Sequence, residues 1–392
     1  MAIAKSSILA SMLLLAACGS DNGSGGSGTD YALTSVEGLA YTTNITVGGS
    51  QTFDVIFDTG STSLAIAGAS CGDCNVMPAY TPGSSGQDQH TTSQSQYGDM
   101  TSWNAENFSD SVAITGDSPV TMRFASITSQ STNPPFFRPG FPDQGIIGFG
   151  APITAVPGTD SYDQQRMTAG RSENFAVQLC ANNGSLWFGG ADPSHEASAE
   201  QATPMVPINN MQPYYAVDIK SAGAGSASIG LSGEAVVDTG TSIMVMSSDA
   251  TNALISQITS APGYQQLFGS QTLSGDASSI DCLTSSATSA QVDAMLPPLT
   301  ITLADTNNGT FTLSSPATQS YFIPVGGEYC FGVAAVTGLP TILGDAFLRG
   351  YVTVFDVERE QVRFATQQGC DSQSVVRTRT TTGHLPWMIQ GH

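Results

Sequence analysis

The sequence predicts a mostly β protein built from two duplicated lobes, and three observations predict it. Short runs rich in Val, Ile, Thr, Phe and Tyr are broken by Gly, Pro, Asn and Ser along most of the chain, which marks strands and turns rather than long helices. One segment occurs twice: Val55-Ile56-Phe57-Asp58-Thr59-Gly60-Ser61-Thr62-Ser63 returns as Ala235-Val236-Val237-Asp238-Thr239-Gly240-Thr241-Ser242-Ile243. Each copy has its own later pair of aliphatics and a glycine, Ile146-Ile147-Gly148 and Ile342-Leu343-Gly344. A repeat of that length is a duplicated lobe, not the unit of a solenoid. The 392 residues suffice for two apolar cores.

Taken in order, residues 1–17 read as an export signal. Lys5 precedes an uncharged, mostly apolar run from Ser6 to Ala17, too short to cross a bilayer as a helix. Leu15-Ala16-Ala17-Cys18 is similar to the lipobox of bacterial lipoproteins, which implies cleavage before Cys18 and lipidation of that cysteine. Gly19 rather than Asp follows, which in such lipoproteins implies the outer membrane; the alternative is an ordinary secretory signal and a secreted protein. Residues 18–30 then have the composition of a flexible tether, nearly all Gly, Ser, Asp and Asn. Seven cysteines are an odd number for an exported chain, and setting Cys18 aside leaves pairs for disulfides in an oxidising compartment.

Residues 31–202 form the N-terminal lobe and 203–370 the C-terminal lobe, divided near the Pro-containing stretch Thr203 to Pro207. In the first, Phe53, Val55 and Phe57 alternate onto one face of a half-buried strand starting at Gln51. In the second, Leu254 to Ile258 and Ala346 to Arg349 are short helices. Tyr351 to Phe355 and Gln361 to Phe364 flank a polar turn and read as a hairpin. Residues 371–392 are a polar tail outside the fold.

Composition narrows the function. Hydrophobic residues make up 40% and charged residues 11%, which excludes a disordered chain. The 11 Lys+Arg against 32 Asp+Glu give a net charge of −21, which excludes a nucleic-acid partner. So few bases leave little positive charge to open the fold once carboxylates protonate, which suits work in acid, or alternatively a saline habitat. His90, His195, His384 and His392 have no metal-ligand spacing. No Gly-x-Ser-x-Gly elbow or phosphate loop occurs, and no metal or cofactor is expected. Cys71 and Cys74 form a Cys-x-x-Cys that fits a redox centre, half a zinc site or a small disulfide; the lack of a βαβ context and of a second Cys/His pair favours the disulfide.

The repeated motif carries the chemistry. A strand that delivers Asp-Thr-Gly into a turn holds a carboxylate at the end of a rigid element, with glycine permitting the tight turn and close approach. Two such turns face to face bring Asp58 and Asp238 within hydrogen-bond reach. Carboxylates that close cannot both ionise, so the pair shares one proton. The ionised member can take a proton from water while the protonated one polarises a peptide carbonyl.

On these motifs, together with Gly344-Asp345-Ala346-Phe347-Leu348-Arg349 and Tyr351-Val352-Thr353-Val354-Phe355-Asp356, the chain from Tyr31 to Cys370 resembles the pepsin family of aspartic endopeptidases. The resemblance implies two β-barrel-like lobes, a central inter-lobe sheet and a catalytic cleft, in a monomer acting on polypeptide substrates, at acid pH and between bulky apolar residues. Asp58 and Asp238 become the catalytic dyad. Ser61 and Thr241 orient its outer oxygens, Thr59 and Thr239 tie the two turns together, and Gly60 and Gly240 offer carbonyls to an extended substrate. Tyr97, Gly98 and Asp99 match the tip of a flap that closes over the cleft. The implied disulfides are Cys71–Cys74, Cys282–Cys330 and Cys180–Cys370, the last as in the beta-secretase branch. Two positions depart from the family: Ala65 replaces the tryptophan that bonds the flap tyrosine, and Met100 replaces the second flap glycine. Trp103 is available to supply the missing aromatic surface. No lysine-rich prosegment is expected, because the first strand follows the tether. The departures leave a catalytically inactive pepsin-fold, peptide-binding lipoprotein as the alternative function. Paired Asp-Thr-Gly turns are not the usual mark of a carboxylate-pair glycosidase.

Overall fold

A computed structural model describes residues 29–151, 155–208, 215–276 and 280–370. Residues 1–17, Cys18 with most of the tether, and the tail 371–392 lie outside the described residues. No helix among the described residues is long and apolar enough to cross a membrane.

The fold grows from how each motif-bearing strand is paired. Gln51–Asp58 lies antiparallel to Ala40–Val47 and parallel to Gly145–Gly148, with Ile56 opposite Ile146, Phe57 opposite Ile147 and Asp58 opposite Gly148. The far edge of Gly145–Gly148 meets Leu64–Ala67 antiparallel. The chain therefore leaves one strand, turns through Asp-Thr-Gly, and re-enters two places over, leaving a gap that Ile146-Ile147-Gly148 fills. The second half repeats the device. Gly233–Val237 runs parallel to Thr341–Leu343, with Val236 opposite Ile342, and Ile342 also meets Val245. Parallel neighbours cannot be joined by a tight hairpin, which is why each motif and its aliphatic-aliphatic-Gly partner lie so far apart in sequence.

This placement refines one expectation. Phe53, Val55 and Phe57 do share a face, each 0% exposed, but Ile56 on the other face is 2% exposed. The strand alternates as a half-buried strand from Gln51 to Asp54, with Thr52 exposed, and is buried on both sides from Val55 to Asp58, where it lies between two apolar clusters. The second of these holds Ile56 together with Tyr97, Trp103 and Phe136.

The halves are woven together by a shared sheet. Phe175–Leu179 pairs with Tyr351–Asp356, and Gln201–Pro204 pairs with Gln361–Thr366. The rings of Phe175 and Phe355 stack across this seam with centroids 4.6 Å apart. The C-terminal hairpin forms as expected, Tyr351–Asp356 with Gln361–Thr366, closing at Glu360 in the left-handed region.

Helices are longer and more numerous than the sequence pattern showed. Leu254 to Ile258 lies inside Ser248–Ser260, started by the Ser247 side chain accepting from the Ala250 backbone N–H. Its Ala250, Leu254 and Ile258 are buried at four-residue spacing. Tyr162–Thr168, Pro262–Phe268 and Ser289–Met295 are helices of seven residues each, too short for an apolar period to register. Ala346 to Arg349 is met by Asp345–Leu348.

Candidate active site

The two Asp-Thr-Gly turns are bound into one unit. Thr239 Oγ1 donates to the Phe57 carbonyl at 3.0 Å and accepts from the Thr59 N–H at 3.1 Å. Thr59 Oγ1 returns both contacts, donating to the Val237 carbonyl at 3.0 Å and accepting from the Thr239 N–H at 3.0 Å. All of these groups are buried, so each bond satisfies polar atoms that water cannot reach.

Within each turn the carboxyl is held on both edges. The Gly60 N–H donates to Asp58 Oδ1 at 2.7 Å, and the Gly240 N–H to Asp238 Oδ1 at 2.7 Å. The outer oxygens accept from hydroxyls: Asp58 Oδ2 from Ser61 Oγ, and Asp238 Oδ2 from Thr241 Oγ1 at 2.6 Å. Glycine is required at both positions by the opposite carboxyl. A Cβ on Gly60 would sit 2.6 Å from the Asp238 carboxyl carbon, and one on Gly240 would sit 2.1 Å from Asp58 Oδ1.

Asp58 and Asp238 are each 0% exposed and lie close enough that each perturbs the titration of the other. Burial pushes the Asp58 carboxyl well above the usual carboxylate range, and the charge of Asp238 pushes it further. Burial raises Asp238 too, against the pull of the Thr241 hydroxyl. The pair titrates as a unit and retains a proton where a free carboxyl would have lost it.

A third carboxyl stands behind them. Asp345 is 0% exposed, and neither of its oxygens has a hydrogen-bond partner. Burial raises it well above the carboxylate range and the charge of Asp238 adds to this, while Arg349 opposes. It follows Gly344 as Phe149 follows Gly148, so this is a point where the two halves differ in chemistry. Sequence reasoning assigned it no role, although a charge in the apolar run from Ile342 to Leu348 was a visible signal.

The expected flap is the turn from Tyr97 to Thr101 between Gln87–Gln96 and Ser102–Ile114. Tyr97 is 4% exposed and Met100 63% exposed; Met100 takes φ 69°, the left-handed conformation that a glycine adopts freely. Trp103 Nε1 donates to the Tyr97 hydroxyl at 3.0 Å. Trp103 and Ala65 belong to one buried cluster, so the tryptophan comes from the flap's own return strand. Tyr97 stacks on Phe136 at 5.5 Å between centroids. Its hydroxyl is raised first by burial, with a further push from the charge of Asp58, which sets the ring within electrostatic reach of the dyad. Asp99 is engaged elsewhere: its Oδ1 accepts from Thr101 N–H at 3.0 Å and Thr101 Oγ1 at 2.6 Å, and its Oδ2 holds Arg138 in a nearly buried ion pair. Arg138 and Phe136 carried no signal in the sequence, because their partners come from a distant hairpin.

Disulfides join Cys71 to Cys74, Cys180 to Cys370 and Cys282 to Cys330. The grouping of Cys71, Asp73 and Cys74 therefore offers no thiolate to a metal ion, since both sulfurs are covalently paired.

The profile of the family described as "Eukaryotic aspartyl protease" matches residues 40–367. The chain belongs to this family. An "Aspartic protease" of Phaffia rhodozyma is 27% identical over 331 residues, covering 83% of this chain and 76% of that protein. Rhizopuspepsin-3 of Rhizopus niveus is 27% identical over 349 residues, covering 86% and 80%. Cathepsin E of Rattus norvegicus is 27% identical over 359 residues, covering 83% and 80%. The aspartyl protease match runs through both Asp-Thr-Gly turns, the flap hairpin and both aliphatic-aliphatic-Gly strands.

Proposed function

We propose that this family member is an active endopeptidase in which Asp58 and Asp238 activate water against a peptide bond. The closely placed, fully buried pair of carboxyls, each braced by a glycine N–H and a hydroxyl, carries this reading. With one proton on the pair, the ionised member takes a proton from water as the oxygen attacks the peptide carbon. The protonated member gives its hydrogen bond to the carbonyl oxygen on which charge develops. The C–N bond then breaks, and the proton taken from water passes to the departing amine. Ser61, Thr241 and the Gly60 and Gly240 N–H groups keep both carboxyls in position throughout. Thr59 and Thr239 hold the two turns at a constant separation. Because both aspartates are fully buried, access requires the flap hairpin to lift, and Tyr97 then closes over an extended peptide. The aromatic surface of Tyr97 and Phe136 suits bulky apolar side chains, and the need for one retained proton suits acid.

One chain supplies both carboxyls, so a monomer is sufficient. Three disulfides favour an oxidising compartment, and the run ending in Cys18 supports export with a lipid anchor. Mass spectrometry of the mature N-terminus tests the anchor: a diacylglyceryl mass on Cys18, lost in Cys18→Ser, is expected. The catalytic reading is tested by digestion of denatured protein at about pH 4, with Asp58→Asn and Asp238→Asn as the variants. Each variant is expected to lose at least about a thousandfold. Undiminished cleavage by either one, or peptide binding without cleavage by the unaltered protein, refutes it.

A further inference from the structure

The arginines of this protein divide sharply. Arg123, Arg138, Arg166, Arg171, Arg359 and Arg363 each hold a carboxylate, and so does Lys220. Arg349 is the exception among the described residues. It is only 7% exposed, yet no side-chain hydrogen bond or ion pair reaches its guanidinium. Its nitrogens are not sealed from solvent, so the guanidinium opens to water with no fixed protein acceptor and is free to receive one.

Arg349 lines a hollow of about 110 Å³ beside the Cys180–Cys370 disulfide, several times the space one water needs. Two amides share the wall, Gln319 and Gln367. The Gln367 oxygen already accepts from Gln178 at 3.2 Å and from the Cys370 N–H at 3.4 Å, which leaves its NH₂ as a donor. Asp293 also lines the hollow, but its carboxylate is occupied by the Thr318 N–H at 2.7 Å and the Thr318 hydroxyl at 2.8 Å. Leu179, Ala181 and Pro324 complete the wall with apolar surface.

We infer that this hollow is a binding site for a short-chain carboxylate, with the acid group on Arg349 and the aliphatic stem against Leu179, Ala181 and Pro324. The planar guanidinium fork matches a carboxylate in two parallel bonds, and the amides supply further donors. The negative charge of Asp293 disfavours a ligand acidic at both ends, so a monocarboxylate fits best. Nothing in the inference depends on proteolysis.

The test is calorimetric titration of the full chain with propionate at constant ionic strength, with propionamide as the neutral control. Saturable one-to-one binding of propionate and none of propionamide are expected. Arg349→Gln should abolish it, and Arg349→Lys should weaken it about tenfold, since an ammonium cannot offer the fork. Ala290→Trp, at an exposed position on the same wall, should block the hollow without disturbing the core. Should Arg349→Gln fail to fold, Ala290→Trp decides the matter by itself. Absence of saturable binding to the unaltered protein, or equal binding by the folded variants, overturns the inference.

Discussion

Replacing Asp143 by Asn should make this protein more stable at neutral pH and leave it nearly unchanged in acid. Asp143 is 4% exposed and lies two residues before Gly145–Gly148, the strand that fills the gap beside Asp58. Burial pushes its carboxyl from 3.8 to about 7, the charge of Asp54 pushes the same way, and Arg138 opposes. In the folded protein the proton is therefore retained across a range where the unfolded chain has released it. Stability from this group is complete below pH ~4 and is lost as pH rises through about 7. Three pH units at about 1.4 kcal/mol each give a loss on the order of 4 kcal/mol, a large part of a typical total of about 5–15 kcal/mol. Asn has no charge to bury, so Asp143→Asn should gain up to roughly 4 kcal/mol over the unaltered protein at pH ~7.5 and change by less than about 1 kcal/mol at pH ~4. Urea unfolding at the two pH values measures this, provided the slope against denaturant is the same in both proteins. A variant no more stable than the parent at neutral pH would refute the reasoning. Asp163, also raised by burial to about 7, makes the parent's own decline toward neutrality steeper.

Three further outcomes follow from bonds already described. Trp103→Phe keeps the ring but removes the donor to Tyr97; about 1 kcal/mol lost in flap positioning should lower kcat/KM for a peptide about fivefold. Thr239→Val strips the Thr59 N–H of its acceptor and the Phe57 carbonyl of a donor, and should cost roughly 2–5 kcal/mol in denaturant unfolding, with Thr239→Ser retaining most of it. Arg138→Met leaves Asp99 nearly buried without its ion partner and should cost about 3 kcal/mol. Adding Asp99→Asn should recover part of that loss, as a double-mutant cycle would show.

Much of the geometry around Asp58 and Asp238 was legible because it is local and occurs twice. The spacing from aspartate to glycine to hydroxyl within Asp58–Ser61 and within Asp238–Thr241 is set by one tight turn each, so reading the turn reads the contacts. Trp103 was harder: its proximity to Tyr97 follows from hairpin register, which places the two across a short turn. Asp345 and Arg349 lie in a segment that carries the family resemblance, yet their burial depends on what packs around the short helix Asp345–Leu348. The seven-residue helices escaped notice because two turns are too few to display a period.

Residue types, their alternation and the duplicated turn were enough to establish a mostly β chain and to single out a matched pair of acids, since each of these depends on neighbours within a few residues. Three-dimensional packing decided the rest: the close approach of Asp58 and Asp238, the burial of Asp345 beside them, the hold of Arg138 on Asp99, and the placement of Arg349 beside its hollow. Those properties come from burial and from partners tens to hundreds of positions away, and the desolvation that shifts a carboxyl exists only once the chain has closed around it.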